Sequence, residues 1–433
     1  MVKCDLMSVS SSLGVQAVKV TRIPSSNRYG FLAACALGPV LWGAACASGG
    51  VDSSIETSDS LVAIQPDSQP DLADPSDVAL PAPPTPGAVQ YGVGVYELTT
   101  PSVGGRTLPT TIWYPIPLHT AGAPVKYLNL IDSPTGAIAN APPLNFATYP
   151  LVVFSHGNQG IRQQSVFLTE ALAQRGFVVA APDHVGNTFF DYDGAQLEAM
   201  AVFRPLDITA VIDRVVHPSA ADPDWLKTIV DGKHIAVSGH SFGGYTALAV
   251  AGAPVDVPAA MLPDCATATS DPLCLVIQLV GKPPWTFADP RVSLVLPLAH
   301  CGQLDSFGFM LNALADIKVP AVIQAATGDS VCPYDSQALP LWKAWPEPKA
   351  LISLQGGNHF SYSDLCSLPA GLAPQMAQYC VGRKPDLLVA HEAVVRFAVA
   401  AANVYLRGLD SERAVFAGGG DGVVQVQSAG ILK

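Results

Sequence analysis

Short apolar runs with no polar alternation recur along the chain, at 151–154, 177–181, 235–237, 292–296, 321–325 and 350–354. Strands buried on both faces look like this, because neither face meets water. Two earlier segments, 91–99 and 108–114, alternate apolar and polar residues on either side of Gly104-Gly105. They predict an antiparallel pair at a sheet edge. Helical periods fall between the runs. The stretch 166–175 stops at Gly176, 206–216 follows Pro205, and 386–407 makes a long closing helix. Strands alternating with helices predict an α/β fold: about eight mostly parallel strands with helices on both faces. Residues 253–290 break this alternation. They carry Cys265, Cys274, several prolines, Trp285 and Phe287, and read as an inserted, lid-like segment.

Ahead of this pattern the chain changes character. Lys3, Lys19, Arg22 and Arg28 precede an uncharged apolar run at 31–47. It ends in small residues, and Ala45-Cys46-Ala47 resembles a cleavage site. At about 17 residues it falls short of the roughly 20 that span a bilayer. Residues 1–47 therefore read as a signal peptide for export. Leu41 to Cys46 loosely match a lipoprotein signal, so three outcomes stay open. These are membrane attachment by a lipidated Cys46, free secretion after cleavage at Ala47, and a retained anchor. Residues 48–88 are rich in Pro, Ser and Asp and poor in aromatics, and predict a disordered linker. That leaves 89–433 as the folded domain.

Composition narrows the function classes. The chain is 49% hydrophobic and 13% charged, ample for a large core. Net charge is −12 with no Lys/Arg-rich run, so nucleic-acid binding has no electrostatic footprint. Of nine cysteines, six lie in the domain: Cys265, Cys274, Cys301, Cys332, Cys366 and Cys380. An even number in an exported domain predicts disulfides, although six cysteines allow many connectivities. The working pairs are Cys265–Cys274 and Cys366–Cys380, which close short loops, and Cys301–Cys332, which joins the ends of neighbouring strands. No CxxC or HExxH occurs, so neither a structural zinc nor a metal-dependent hydrolase finds support.

The chemistry starts at Gly239-His240-Ser241-Phe242-Gly243, a Gly-x-Ser-x-Gly between a strand and an apolar helix. Such a turn is too tight for side chains at its flanks, and it exposes the serine hydroxyl at the strand end. Ser241 is the candidate nucleophile, and the Phe242 N–H at the helix N-terminus is a candidate oxyanion donor. Phe154-Ser155-His156-Gly157-Asn158 ends an earlier strand, and the Asn158 N–H is the second candidate. Ser155 and His156 read as structural. On this fold the acid precedes the histidine. Asp329 follows the run at 321–326 and is the candidate acid, with Asp335 and Asp305 as rivals. His359 sits in a Gly-rich loop after the last strand and is the candidate base, since an imidazole ordinarily titrates near 6.5. His184, His217, His234, His300 and His391 lie elsewhere and read as structural, and His240 as a packing group beside the nucleophile.

Taken together, FSHG at 154–157, APDHVGNT at 181–188, RPLDI at 204–208, GHSFGGYTAL at 239–248, GD at 328–329 and GGNHFSYSDLC at 356–366 resemble the bacterial predicted dienelactone hydrolases. These are similar in turn to platelet-activating-factor acetylhydrolases and cutinase-like polyester hydrolases. The resemblance spans roughly 150–405 and implies an α/β-hydrolase fold, no cofactor and small-molecule, lipid or polyester ester substrates. It places the nucleophile on Ser241, the acid on Asp329, the base on His359 and the oxyanion donors on Asn158 and Phe242. The expectation is thus a serine carboxylic-ester hydrolase working through an acyl-enzyme intermediate. The alternatives are a peptidase or amidase of the same fold, and a catalytically inactive hydrolase-like binding protein.

Overall fold

The computed structural model describes residues 88–304, 306–368, 377–380 and 384–431. The expected signal peptide (1–47) and almost all of the expected linker (48–88) lie outside the described residues.

Nine strands carry the main sheet: β1 (Gly92–Pro101), β2 (Thr107–Ile116), β3 (Tyr149–Ser155), β4 (Val178–Pro182), β5 (Val230–His240), β6 (Val292–Leu298), β7 (Ala321–Ala326), β8 (Lys349–Leu354) and β9 (Val424–Ala429). Their spatial order is β9-β8-β7-β6-β5-β3-β4-β2-β1. The two-residue strands Gly419–Gly420 and Ile138–Ala139 extend its two edges. Strands β3 to β8 pair in parallel. β1–β2, β2–β4 and β8–β9 pair antiparallel. Because β3 to β8 run parallel, the carboxyl ends of β3, β5, β6, β7 and β8 share one rim, and the strand order reverses at β3 and β4. Ligands bind at that rim in open α/β sheets.

The apolar runs are buried on both faces, as their pattern requires. In β3, Leu151 and Val153 enter one core, while Val152 and Phe154 enter the other. Helices α2 (Leu197–Val216), α3 (Phe242–Val250), α4 (Pro272–Val280) and α5 (Ala338–Ala344) contribute to the first core. Helices α1 (Val166–Ala173) and α6 (Leu387–Arg407) contribute to the second. α6 is long and apolar enough to cross a membrane, yet Phe397, Ala398, Ala401 and Ala402 are buried against the sheet. Its length therefore serves the core.

Three features depart from the expected elements. α2 begins at Leu197, nine residues before the expected start, and runs through Pro205. Burial of Met200, Ala201, Val202 and Phe203 outweighs the one helical bond that proline forfeits. The expected set of about eight strands lacks β9, whose pairing partner β8 lies about seventy residues earlier in the chain. In the segment 253–290, α4 packs on α2. Val255–Asp256 pairs with Gly308–Phe309. Trp285 and Phe287 are buried in the first core and present no free ring to a ligand.

The three disulfides join Cys265–Cys274, Cys301–Cys332 and Cys366–Cys380, with Cα separations of 5.4, 5.3 and 5.4 Å.

Candidate active site

β5 runs into α3 through a turn that leaves Ser241 with φ = 59°, a conformation L-residues avoid. The flanking glycines make the turn feasible. A Cβ on Gly243 would run into the Ser155 carbonyl, and one on Gly239 into the Gly243 carbonyl. The Ser241 N–H donates to the Leu298 carbonyl at the end of β6 (2.9 Å). Its own carbonyl accepts the Tyr245 N–H (3.1 Å), the first turn of α3. The hydroxyl is thus held at the rim.

Asp329 and His359 follow β7 and β8 and meet there. His359 Nδ1 donates to Asp329 Oδ2 at 2.8 Å. The other carboxylate oxygen accepts the Val331 and Cys332 N–H groups, each at 2.8 Å. Both side chains are buried. The rival Asp335 is exposed, and Asp305 lies outside the described residues. Asn358 caps the short turn that begins with His359, accepting from the Phe360 N–H (3.0 Å) and donating to the Tyr379 carbonyl (2.6 Å).

His240 supports this arrangement from below. Its Nδ1 accepts from Gln164 Nε2 (2.7 Å), so its Nε2 carries the proton and donates to the His359 carbonyl (2.8 Å). Burial, with His359 nearby, holds the His240 pKa well below the ordinary value. The ring therefore stays neutral, as this pairing needs. Gln164 Oε1 in turn accepts the Gly157 N–H (2.9 Å), linking the His359 loop, through His240, to the loop after β3.

The disulfide Cys301–Cys332 lies in the same place. Ser241 Oγ bonds Cys301 Sγ at 3.8 Å. The two sulfurs and a ring nitrogen of His359 all lie within 4.8 Å of one another. This is the one group among the described residues whose spacing could hold a metal, but its sulfurs are bonded to each other and offer no thiolate. Among the described residues, the Ser241 hydroxyl bonds this sulfur and not the imidazole. Catalytic hydrogen bonds commonly tighten only when substrate is bound.

The Asn158 and Phe242 amides stand on the two loops beside Ser241. A Cβ on Gly157 would sit 3.4 Å from Ser241 Cβ, so the first loop lies against Ser241. Neither amide has an acceptor among the described residues.

Behind these loops lies a buried polar network absent from the sequence-based expectations. Arg204 and Asp207 reach into it from α2. Asp207 accepts from Arg106 and Ser102 and from His184 Nδ1 (2.9 Å). The Ser155 hydroxyl donates to His184 Nε2 (2.9 Å) and accepts from Arg204 (3.1 Å). Burial, reinforced by the Arg204 charge, holds His156 and His184 far below the ordinary histidine pKa. Burial also lowers Arg204 to about 9, with Asp207 acting in the opposite sense. The available signal was two charged residues three apart in an apolar helix, where charge is rarely buried without a task.

Fold and rim together define an α/β hydrolase fold. Residues 127–189 match the family described as platelet-activating factor acetylhydrolase, isoform II. The chain is 25% identical over 216 residues to the cutinases est1 of Thermobifida alba and cut1 of Thermobifida fusca. That alignment covers 49% of this chain and 54% and 50% of those proteins, so the chain spans about half the length of the curated relatives it matches. A solved ferulic acid esterase from Streptomyces cinnamoneus superposes with a TM-score of 0.51 at 22% identity, over 76% of this chain and 93% of that one.

Proposed function

We propose that this chain is a carboxylic-ester hydrolase with Ser241 as nucleophile, His359 as base and Asp329 as the acid that orients it. The Asp329–His359 hydrogen bond beside a serine held at positive φ on a strand-to-helix turn carries this reading. Neutral His359 takes the proton of the Ser241 hydroxyl as the oxygen attacks the ester carbonyl. Asp329 fixes the tautomer through Nδ1–H and stabilises the imidazolium that forms. The Asn158 and Phe242 amides receive the oxyanion. Collapse releases the alcohol, which takes the proton back from His359. Water then repeats the sequence on the acyl-enzyme.

The similar proteins act on esters according to their names: cutinases on cutin, and the structural neighbour on ferulic acid esters. Apolar or aromatic acyl esters, including polyesters, are therefore the proposed substrate class. Three disulfides fit an oxidising compartment and support export. Membrane attachment through Cys46 is a further proposal, which the intact mass of the mature protein tests.

The direct test is an acyl-length series of 4-nitrophenyl esters with wild type and Ser241→Ala. Ser241→Ala should leave a folded protein with only the roughly 10³–10⁴-fold residual enhancement that survives loss of a triad member. Undiminished turnover by the folded variant would refute the assignment. Faster cleavage of an anilide than of the matched ester would point to an amidase. Failure of a fluorophosphonate to label Ser241 would point to a binding protein.

A further inference from the structure

Arg204 is fully buried, and a buried guanidinium is costly unless its donors are met. Its donors are met by the end of β3 and the loop that follows it, by Asn187 and by Thr246 in the first turns of α3. Nη2 donates to the His156 carbonyl and to Ser155 Oγ (3.1 Å). Nη1 donates to Asn187 Oδ1 and, at 3.5 Å, to the Gly157 carbonyl. Nε donates to Thr246 Oγ1 (3.2 Å), whose hydroxyl donates to the Phe242 carbonyl (2.8 Å). The guanidinium also lies over the Phe242 ring, 4.6 Å from its centre.

The Gly157 carbonyl and the Asn158 N–H belong to one planar trans peptide, so they point in opposite directions. That carbonyl accepts from His156 Nδ1 (2.7 Å) and the Gly160 N–H (3.0 Å) as well as from Arg204 (3.5 Å). His156 keeps its proton on Nδ1 because Nε2 accepts the His184 N–H (3.0 Å). The Asn158 N–H is thereby turned away from the network. Donors on the carbonyl also polarise the amide and strengthen its N–H. A second link runs through Asn187, whose Nδ2 donates to Asn158 Oδ1 (2.8 Å).

We infer that Arg204 is a positioning residue of the oxyanion hole, holding the Asn158 and Phe242 amides in convergent orientation from behind. This rests on the ester-hydrolase reading of Ser241. Lysine cannot replace it, because one ammonium cannot span Thr246, Asn187, Ser155 and His156 together.

The test uses the full chain with Arg204→Lys and Asn187→Ala. Active sites are titrated with a fluorophosphonate, so rates are expressed per competent serine. For 4-nitrophenyl acetate, Arg204→Lys should lower kcat per site about 10- to 100-fold, below the full loss of one oxyanion donor, with KM within about twofold. Affinity for phenylboronic acid, whose serine adduct is a tetrahedral anion, should fall by a similar factor. Asn187→Ala, which leaves the guanidinium in place, should show the same signature, at least several-fold. A residue that only supports folding would lower Tm and the titrated fraction, leaving kcat per site and boronate affinity unchanged. That result overturns the inference. If Arg204→Lys does not fold, unchanged kcat per site in Asn187→Ala overturns it alone. Ester turnover that survives Ser241→Ala would instead overturn the hydrolase reading. Turnover that is lost in Ser241→Ala but kept in both other variants would overturn only the role of Arg204.

Discussion

Ser241 occupies a backbone conformation that costs on the order of 1–3 kcal/mol and persists only where the surroundings enforce it. Close approach of the Ser155 carbonyl to Gly243 is part of that enforcement. Gly243→Ala is therefore expected to lower the melting temperature and abolish ester turnover, since a backbone carbonyl cannot move aside as a side chain can. An unchanged melt with full turnover would contradict this. The proposed acid occupies an equally specific place. Asp329 receives two N–H groups and the imidazole, whereas Asp335 faces solvent. Asp329→Asn should lower kcat by about 10⁴-fold by favouring the wrong tautomer of His359. Asp335→Asn should have little effect, and the reverse ranking in steady-state assays would reassign the acid.

At the scale of elements, α1 shows how a charge is tied to a helix end. Asp364, from the loop beyond His359, accepts the Phe167 N–H (3.0 Å) in the first turn of α1. Burial lifts its pKa from 3.8 to about 7, against the bonds from the helix amides. An acid raised in this way binds an extra proton in the folded state between those two values. Its contribution to stability is thus greatest at low pH and falls as pH rises from about 4 to about 7. Asp364→Asn keeps an acceptor for Phe167 and removes the titration. Urea midpoints across that range should slope downward for wild type and flatten for the variant. Parallel slopes would show that Asp364 does not titrate there.

At the scale of the whole molecule, the Cys301–Cys332 disulfide ties the segment after β6, which touches Ser241, to the loop after β7, which carries Asp329. Closing a loop with a sequence separation of 31 stabilises by about 3–4 kcal/mol on chain-entropy grounds. Its contacts predict more than that. The Cys332 N–H donates to Asp329 Oδ1, and the Cys301 N–H donates to the Ser241 carbonyl (3.3 Å). The double variant Cys301→Ser/Cys332→Ser should lose ester turnover at temperatures well below its own melt. Removing the distant Cys265–Cys274 pair should lower the melt and spare kcat. Equal effects of the two pairs on kcat would reduce both to plain staples.

Much of this was legible in the sequence because it is local. A strand buried on both faces must be apolar throughout, so six strands of the sheet show as uniform runs, and the edge pair β1 and β2 shows by alternation. The Gly-x-Ser-x-Gly turn needs its glycines wherever it occurs. Chain order on this fold then singles out Asp329 and His359, which the structure brings together. The pattern does not show β9, the early start of α2, or the Arg204 network. Arg204 meets Ser155 across 49 positions, Ser241 meets Cys301 across 60, and His240 meets the His359 carbonyl across 119. Local periodicity records which face of an element is apolar, not which distant element covers it. Which buried donor meets which carbonyl, and so how the rim is held, was decided only when the sheet brought those loops to one edge.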